Sequence, residues 1–314
     1  MRRTVHRAFT QVAAKVAIVG LTGLFALVGG LAGSPVVQAA GGTQYHLAIV
    51  AHDNGSSTNF QGSFSMPSSV HAGRVEIAFT NGGSVEHMAQ FFKLKPGVSE
   101  GQFIPELTEL FTAKSFPIAA QKIRDLLAIA SGGGGPDGEQ PGWTENVIEH
   151  LTPGTYVVVC LEATPQGVPH FLLGMAARLT VWGNDNFTAP ASNGTVIETD
   201  HSIAVPAVIH ESQPLTLRIN VSSQTHEFQL ASAAPGTTKA EILACLTNPP
   251  GSPLCKLTSF PVDVAGAGGL FPGGSHWIEL HLKPGTYVAW CFVPDVHTGM
   301  PHALMGMVTV FVVK

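Results

Sequence analysis

Apolar and polar residues alternate in short runs along most of this chain, each run closed by Gly, Pro, Asn or Ser. The runs Tyr45 to Val50, Val75 to Thr80, Tyr156 to Cys160, Leu215 to Val221, Tyr287 to Cys291 and Val308 to Val313 are strand-like, rich in β-branched and aromatic residues. Pro-Gly pairs before Thr155 and Thr286 fit tight turns leading into strands. The spacing predicts an all-β chain in which each half forms a Greek-key sandwich or barrel. Two stretches depart from that period. Phe103, Leu107, Leu110 and Phe111 recur at helical spacing, as do Ile123, Leu126, Leu127 and Ile129, within an insertion from about Glu100 to Gly142. Gly132 to Gly135 reads as a flexible stop after the second helix. A shorter insertion spans Thr237 to about Gly274. Both are expected to be helical flaps over one end of a sandwich.

The two halves repeat one another. Pro153-Gly154-Thr155-Tyr156-Val157-Val158-Val159-Cys160 matches Pro284-Gly285-Thr286-Tyr287-Val288-Ala289-Trp290-Cys291. After each cysteine comes Pro-His (Pro169-His170, Pro301-His302), then four residues and a methionine, Met175 or Met307. Upstream, His87 and His226 each stand nine residues before a Pro-Gly. The repeat divides the chain into units 41–183 and 196–314, with 184–195 as linker.

The amino-terminal segment follows another rule. Arg2, Arg3, Arg7 and Lys15 precede an apolar run from Val16 to Ala32, and the segment ends Val37-Gln38-Ala39-Ala40. That is the layout of a cleaved signal peptide, residues 1–40, and implies a periplasmic or extracellular protein. The run is short and Gly-rich for a spanning helix, so a membrane association is expected only if it stays uncleaved.

Composition agrees with a packed, turn-rich chain: 45% apolar and 12% charged residues, with 35 Gly and 22 Pro among 314 residues. Four of the 16 basic residues and none of the 21 acidic ones lie in the first forty, which leaves the rest acidic. Without a basic cluster, nucleic acid is excluded as a partner; a redox partner protein, unidentified, is compatible with the charge. Oligomeric state is not readable.

Each half thus offers two histidines, a cysteine and a methionine: His87, Cys160, His170, Met175 and His226, Cys291, His302, Met307. A copper ion cycling between its two oxidation states wants this mixture of imidazole, soft thiolate and weak thioether. The spacing, Cys-x9-His-x4-Met in the first half and Cys-x10-His-x4-Met in the second, resembles the cupredoxin (blue, type 1 copper) family. The long Cys-to-His loop, with Pro before His and Gly before Met, is more like the electron-entry site of copper nitrite reductases. The resemblance implies two tandem cupredoxin-like sandwiches, one copper per domain, and one-electron transfer; the methionines would be axial ligands. It departs from the two-copper enzymes, since no histidine adjoins either cysteine and no His-x-His occurs. Three other readings use the same residues: copper buffering or delivery, a reductase or oxidase completed by another subunit, and a metal-free interaction module.

Other residues are read more plainly. His297 competes with His302 but has no counterpart in the first half. His150 and His281 share a position before the Pro-Gly and are taken as structural. Trp290 is read as packing, and Met66, Met88 and Met305 as core. Cys245 and Cys255, ten residues apart, are spaced for a local disulfide, which the sequence leaves open. Asn54, Asn186, Asn193 and Asn220 begin Asn-x-Ser/Thr sites and are expected at the surface.

Overall fold

The computed structural model of the protein describes residues 43–56, 58–205, 215–248 and 252–314. The expected signal peptide, residues 1–40, lies outside the described residues. Among them no helix is long and apolar enough to cross a membrane.

The first half contains strands β1 (Gln44–Asp53), β2 (Gly62–Ser65), β3 (Ser69–His71), β4 (Gly73–Asn81), β5 (Gln90–Leu94), β6 (Ala130–Gly132), β7 (Thr144–Leu151), β8 (Gly154–Val159) and β9 (Ala176–Trp182). The second contains β10 (Gly194–Thr199), β11 (Ser202–Ala204), β12 (Leu215–Asn220), β13 (His226–Ala233), β14 (Val262–Leu270), β15 (Ser275–Glu279), β16 (Gly285–Trp290) and β17 (Val308–Val313). All six runs read from the sequence are strands. Helices α1 (Glu100–Phe111) and α2 (Phe116–Ile129) fill the first insertion, and α3 (Lys239–Thr247) lies in the second. Between β9 and β10, residues 184–193 carry neither helix nor strand.

Each half is a β-sandwich, so the expected fold class holds. In the first, the order β2-β1-β4-β7 faces the order β3-β9-β8-β5-β6; in the second, β11-β10-β12-β15 faces β14-β13-β16-β17. β4 shows why: Val75, Ile77 and Phe79 are fully buried while their neighbours alternate outward. β8 is apolar on both faces because both are covered. Tyr156, Val158 and Cys160 point into the sandwich core, whereas Val157 and Val159 pack beneath Phe103, Leu107, Ile123 and Leu126 of the two helices. β16 repeats the arrangement, with Ala289 and Cys291 inward and Val288 and Trp290 under Ile242 and Leu246 of α3. The parity of these strands therefore aims each cysteine at the core. The disulfide left open by the sequence forms between Cys245 and Cys255, tying the end of α3 to the loop behind it.

Two features depart from the sequence reading. The sandwiches share one sheet, because β7 pairs with β15 (Val147 with Ile278, Ile148 with Trp277, Glu149 with His276) and so fuses two four-stranded sheets into eight. The Gly132–Gly135 stretch is a second seam and not a flexible stop: Gly134 N donates to Gly269 O at 2.9 Å and Gly268 N to Gly135 O at 2.8 Å. A side chain at Gly134 would stand 2.7 Å from His276 Nδ1, so the close approach and its φ of +74° need glycine. The first flap also does more than cover its own half. Val296, between Cys291 and His302 in the second half, packs into the α1–α2 cluster, and Arg124 of α2 donates to the Val296 carbonyl.

Candidate metal centres

Each predicted set of histidines and cysteine converges. In the first half Cys160 Sγ lies 3.7 Å from His87 Nδ1 and 3.6 Å from His170 Nδ1. In the second, Cys291 Sγ lies 3.5 Å from both His226 Nδ1 and His302 Nδ1. All six side chains are buried, and within each group the donor atoms lie inside 4.8 Å of one another. Two donors about 2.1 and 2.3 Å from one ion, at a near-tetrahedral angle, would be separated by about 3.6 Å. One imidazole N–H can donate to the sulfur while the thiol donates to the other ring, so hydrogen bonds can satisfy each group; two imidazoles and a thiol buried at this separation are also the donor set that a metal ion takes.

Backbone bonds set this geometry. Cys160 sits just past β8, and its N–H donates to Met175 O at 3.1 Å. His170 begins a single 3₁₀ turn; Phe171 N donates to Cys160 O, and Met175 N to His170 O. The second half repeats the last two contacts, with Ala303 N to Cys291 O and Met307 N to His302 O. Met175 and Met307 are fully buried at the ends of these loops. The first histidines are placed by buried asparagines that the sequence reading missed. Asn81 Nδ2 donates to Val85 O and Glu139 O, and Asn220 Nδ2 to Gln224 O and Leu270 O. Each stands six residues before its histidine, a match the repeat displays. Asn220 is thus a buried loop anchor, not the exposed acceptor expected from its Asn-x-Ser context; Asn54, Asn186 and Asn193 are exposed.

Electrostatics favour neutral imidazoles. Burial pulls His170 and His226 down to about 3 and His302 to about 4. Burial likewise lowers His87, against the pull of Asp53. Burial, together with the charges of Glu162 and Glu227 respectively, pushes the Cys160 and Cys291 thiols well above their ordinary range. An ion entering either group therefore displaces a thiol proton.

Outside the donors the halves differ. Asp53 Oδ2 accepts from His87 Nε2 at 3.0 Å; the carboxylate also accepts from Ser84 N at 2.6 Å, Ser84 Oγ at 2.7 Å and Gly55 N at 2.7 Å. Burial raises this carboxyl, but the bonds from Ser84, His87 and Gly55 outweigh it and hold Asp53 well below the usual range. An ionised carboxylate only accepts, so His87 carries its proton on Nε2 and turns a bare Nδ1 toward Cys160. Asp200 is the counterpart and holds Ser223 N at 2.8 Å, yet His226 Nε2 has no partner, nor has His302 Nε2. Asp295 lies 3.9 Å from His302 Nε2 and spends its oxygens on Gln224, His297 and Thr298. The carboxylate partner of His87 stands 34 residues away in sequence, with nothing local to mark it.

The remaining candidates stay outside both groups. His297 is not part of the second cluster. His150 pairs with Asp185 at 2.7 Å and stacks on Phe187, while His281 faces Glu279 at 3.9 Å. Trp290 packs on Phe260 and Phe292. Met88 is buried and Met66 lines the core, but Met305 is exposed and receives the Thr298 hydroxyl, a correction to its core reading.

No family model matches the chain, and no curated protein matches it. Among solved structures, a multicopper oxidase is 14% identical over 86% of this chain and 88% of its own, with a TM-score of 0.24. Auracyanin A, a "blue" copper protein from Chloroflexus aurantiacus, is 18% identical over 44% of this chain and 99% of its own (TM-score 0.27). Rusticyanin from Thiobacillus ferrooxidans is 17% identical over 45% and 79% (TM-score 0.27).

Proposed function

We propose that this chain is an exported copper protein that passes single electrons, with one copper held by His87, Cys160, His170 and Met175 and a second by His226, Cys291, His302 and Met307. The observation that carries the reading is the twofold convergence of two imidazole nitrogens and a thiol in a buried pocket. Bound copper would supply a one-electron couple whose two states are served by the imidazoles and the thiolate together. The chain's own part is to keep the imidazoles neutral, fix their rings and exclude water. Closed backbone loops hold Cys, His and Met in one arrangement, which suits a couple that should not rearrange on electron transfer. The donor or acceptor is a protein. The test is Cu(II) titration of the reduced, signal-free protein, followed by visible and EPR spectra, with Cys160→Ser and Cys291→Ser alongside. Intense thiolate-to-copper absorption that halves in each variant is the expected result. A protein that binds no copper refutes it. Copper held as Cu(I) without colour supports delivery instead, and more than two coppers per chain with turnover supports an enzyme.

A further inference from the structure

The strands that carry the buried asparagines pair at the same register in both halves, Ala51 with Asn81 and Glu198 with Asn220, so the halves can be compared position by position. Two residues before each asparagine stand Phe79 and Arg218. The first half therefore has the apolar Ala51 and Phe79 where the second has Glu198 and Arg218, and all four are fully buried. Glu198 and Arg218 lie 2.9 Å apart. Apolar residues of similar volume serve such a place as well or better, so packing does not explain the ion pair. What it adds is a fixed charge beside one donor. Arg218 Nη2 donates to the His226 carbonyl, while Nη1 donates to the Gly268 carbonyl at 2.7 Å and faces His276 Nε2 at 3.2 Å. A guanidinium only donates, so His276 Nε2 accepts, and its Nδ1 carries the proton that meets Glu149 of the first half at 2.8 Å. Both halves thus hold the guanidinium in place. The His87 carbonyl takes a neutral donor instead, Glu139 N at 2.8 Å.

The two first histidines therefore sit in opposite fields. Behind His87 an ionised carboxylate, Asp53, accepts from Nε2 at 3.0 Å, and both side chains are fully buried. Such a partner makes a ligating imidazole more basic, which favours the more highly charged state of a bound ion. His226 has no partner on Nε2 and a cation on its carbonyl, and a neighbouring cation favours the less charged state. The other charges do not reverse this order. Glu162 acts on Cys160 as Glu227 acts on Cys291, one in each half. Glu198 also acts on Cys291, opposed by Arg218 beside it. Asp200 and Asp295 give their oxygens to Ser223 and to Gln224 and Thr298, not to a histidine ring. On the copper reading above, we propose that Asp53 and Arg218 grade the two centres, so that the first has the lower reduction potential and electrons pass within the chain from the first to the second. The exchange moves one electron and no proton, and no bond forms or breaks: the first centre ends oxidised and the second reduced.

Redox titration of the full mature chain loaded with copper, followed by visible absorption, tests the order, with Cys291→Ser and Cys160→Ser isolating the first and second centres. The second centre should take up its electron before the first, favoured about tenfold or more in the half-reduced chain, which is about 59 mV or more. Asp53→Asn in the Cys291→Ser background should raise the first potential, by about tenfold in the reduction equilibrium. In the Cys160→Ser background, Arg218→Met should lower the second potential and Glu198→Gln should raise it. A purely structural disturbance would not send the two members of one ion pair in opposite directions. Thermal melts confirm that each variant is folded, and where Arg218→Met is not, Glu198→Gln decides. Equal or reversed potentials, a folded Asp53→Asn protein with an unmoved first potential, or a second potential that Glu198→Gln does not raise overturns the proposal. A chain that shows no thiolate-to-copper absorption on loading fails the copper reading and this ordering with it, whereas coloured centres in the wrong order fail the ordering alone.

Discussion

Replacing Asp53 by Asn tests whether the carboxylate behind His87 sets the first centre's affinity. The two oxygens of Asp53 divide their work: Oδ1 accepts from Gly55 N and Ser84 Oγ, and Oδ2 from Ser84 N, Val85 N and His87 Nε2. An amide has one oxygen, so either orientation of the substituted side chain points an NH2 at a backbone N–H. If the oxygen stays at the Oδ1 place, His87 Nε2–H also faces a donor. Losing a charge-assisted hydrogen bond costs about 1.5–3 kcal/mol, or about 10- to 150-fold in an equilibrium constant. That agrees with the roughly 10–100-fold that partners behind metal-bound histidines are worth. We expect Asp53→Asn, measured in a Cys291→Ser background by competition with a chelator, to weaken the first centre by that factor. Asp200→Asn in a Cys160→Ser background should change the second centre by less than about threefold, since His226 Nε2 has no partner to lose. Equal losses in both backgrounds, or a folded Asp53→Asn protein with unchanged affinity, would refute the reasoning. The ring would then be held by its packing near Phe60, whose centroid lies 6.1 Å away.

Three further outcomes follow from the buried charges and the crosslink. In the copper-free protein, burial holds Glu86 at about 7 and Glu139 and Glu227 at about 8. These acids keep protons that the unfolded chain has lost, so the stability they contribute is present at low pH and lost as pH rises through 7–8, at about 1.4 kcal/mol per pH unit for each retained proton. The depressed histidines act oppositely, but only below their unfolded value near 6.5, so thermal melts should show the midpoint falling from pH 6.5 to 8; a rising midpoint contradicts the account. Arg218→Met strands Glu198 and releases the His226 carbonyl, and should lower unfolding free energy by about 3–5 kcal/mol in denaturant titrations; a loss under about 1 kcal/mol would show the pair to be dispensable. Removing both Cys245 and Cys255, which close a short loop, should cost about 2–3 kcal/mol while leaving both copper absorptions intact, and a loss of colour would show that the disulfide holds the donor loop through the packing of α3 on Trp290 and Ala303.

The donors were legible because the chain states them twice. One His, Cys, His, Met set in 314 residues would mean little; two sets, each reached through Pro-Gly-Thr-Tyr and a strand, mean more. What stayed hidden depends on register or on distant pairing. Nothing marks β7 and β15 as partners: each alternates like any strand, and only the folded seam brings Glu149 against His276 at 2.8 Å. Glu86, Glu227 and Glu162 stand one or two residues from donors with nothing in the sequence to mark them, yet all three line one cavity. The seam also changes what the repeat means. It reproduces the donors, the buried asparagines and the aspartates at the ends of β1 and β10, but Asp53 reaches its histidine and Asp200 does not. The second loop, moreover, is gripped by α2 through Arg124. Two groups with the same donor types are therefore held differently, the first by a carboxylate behind its ring and the second by the other half of the molecule. Their affinities and potentials should differ accordingly, and electrons entering the chain would meet two inequivalent centres.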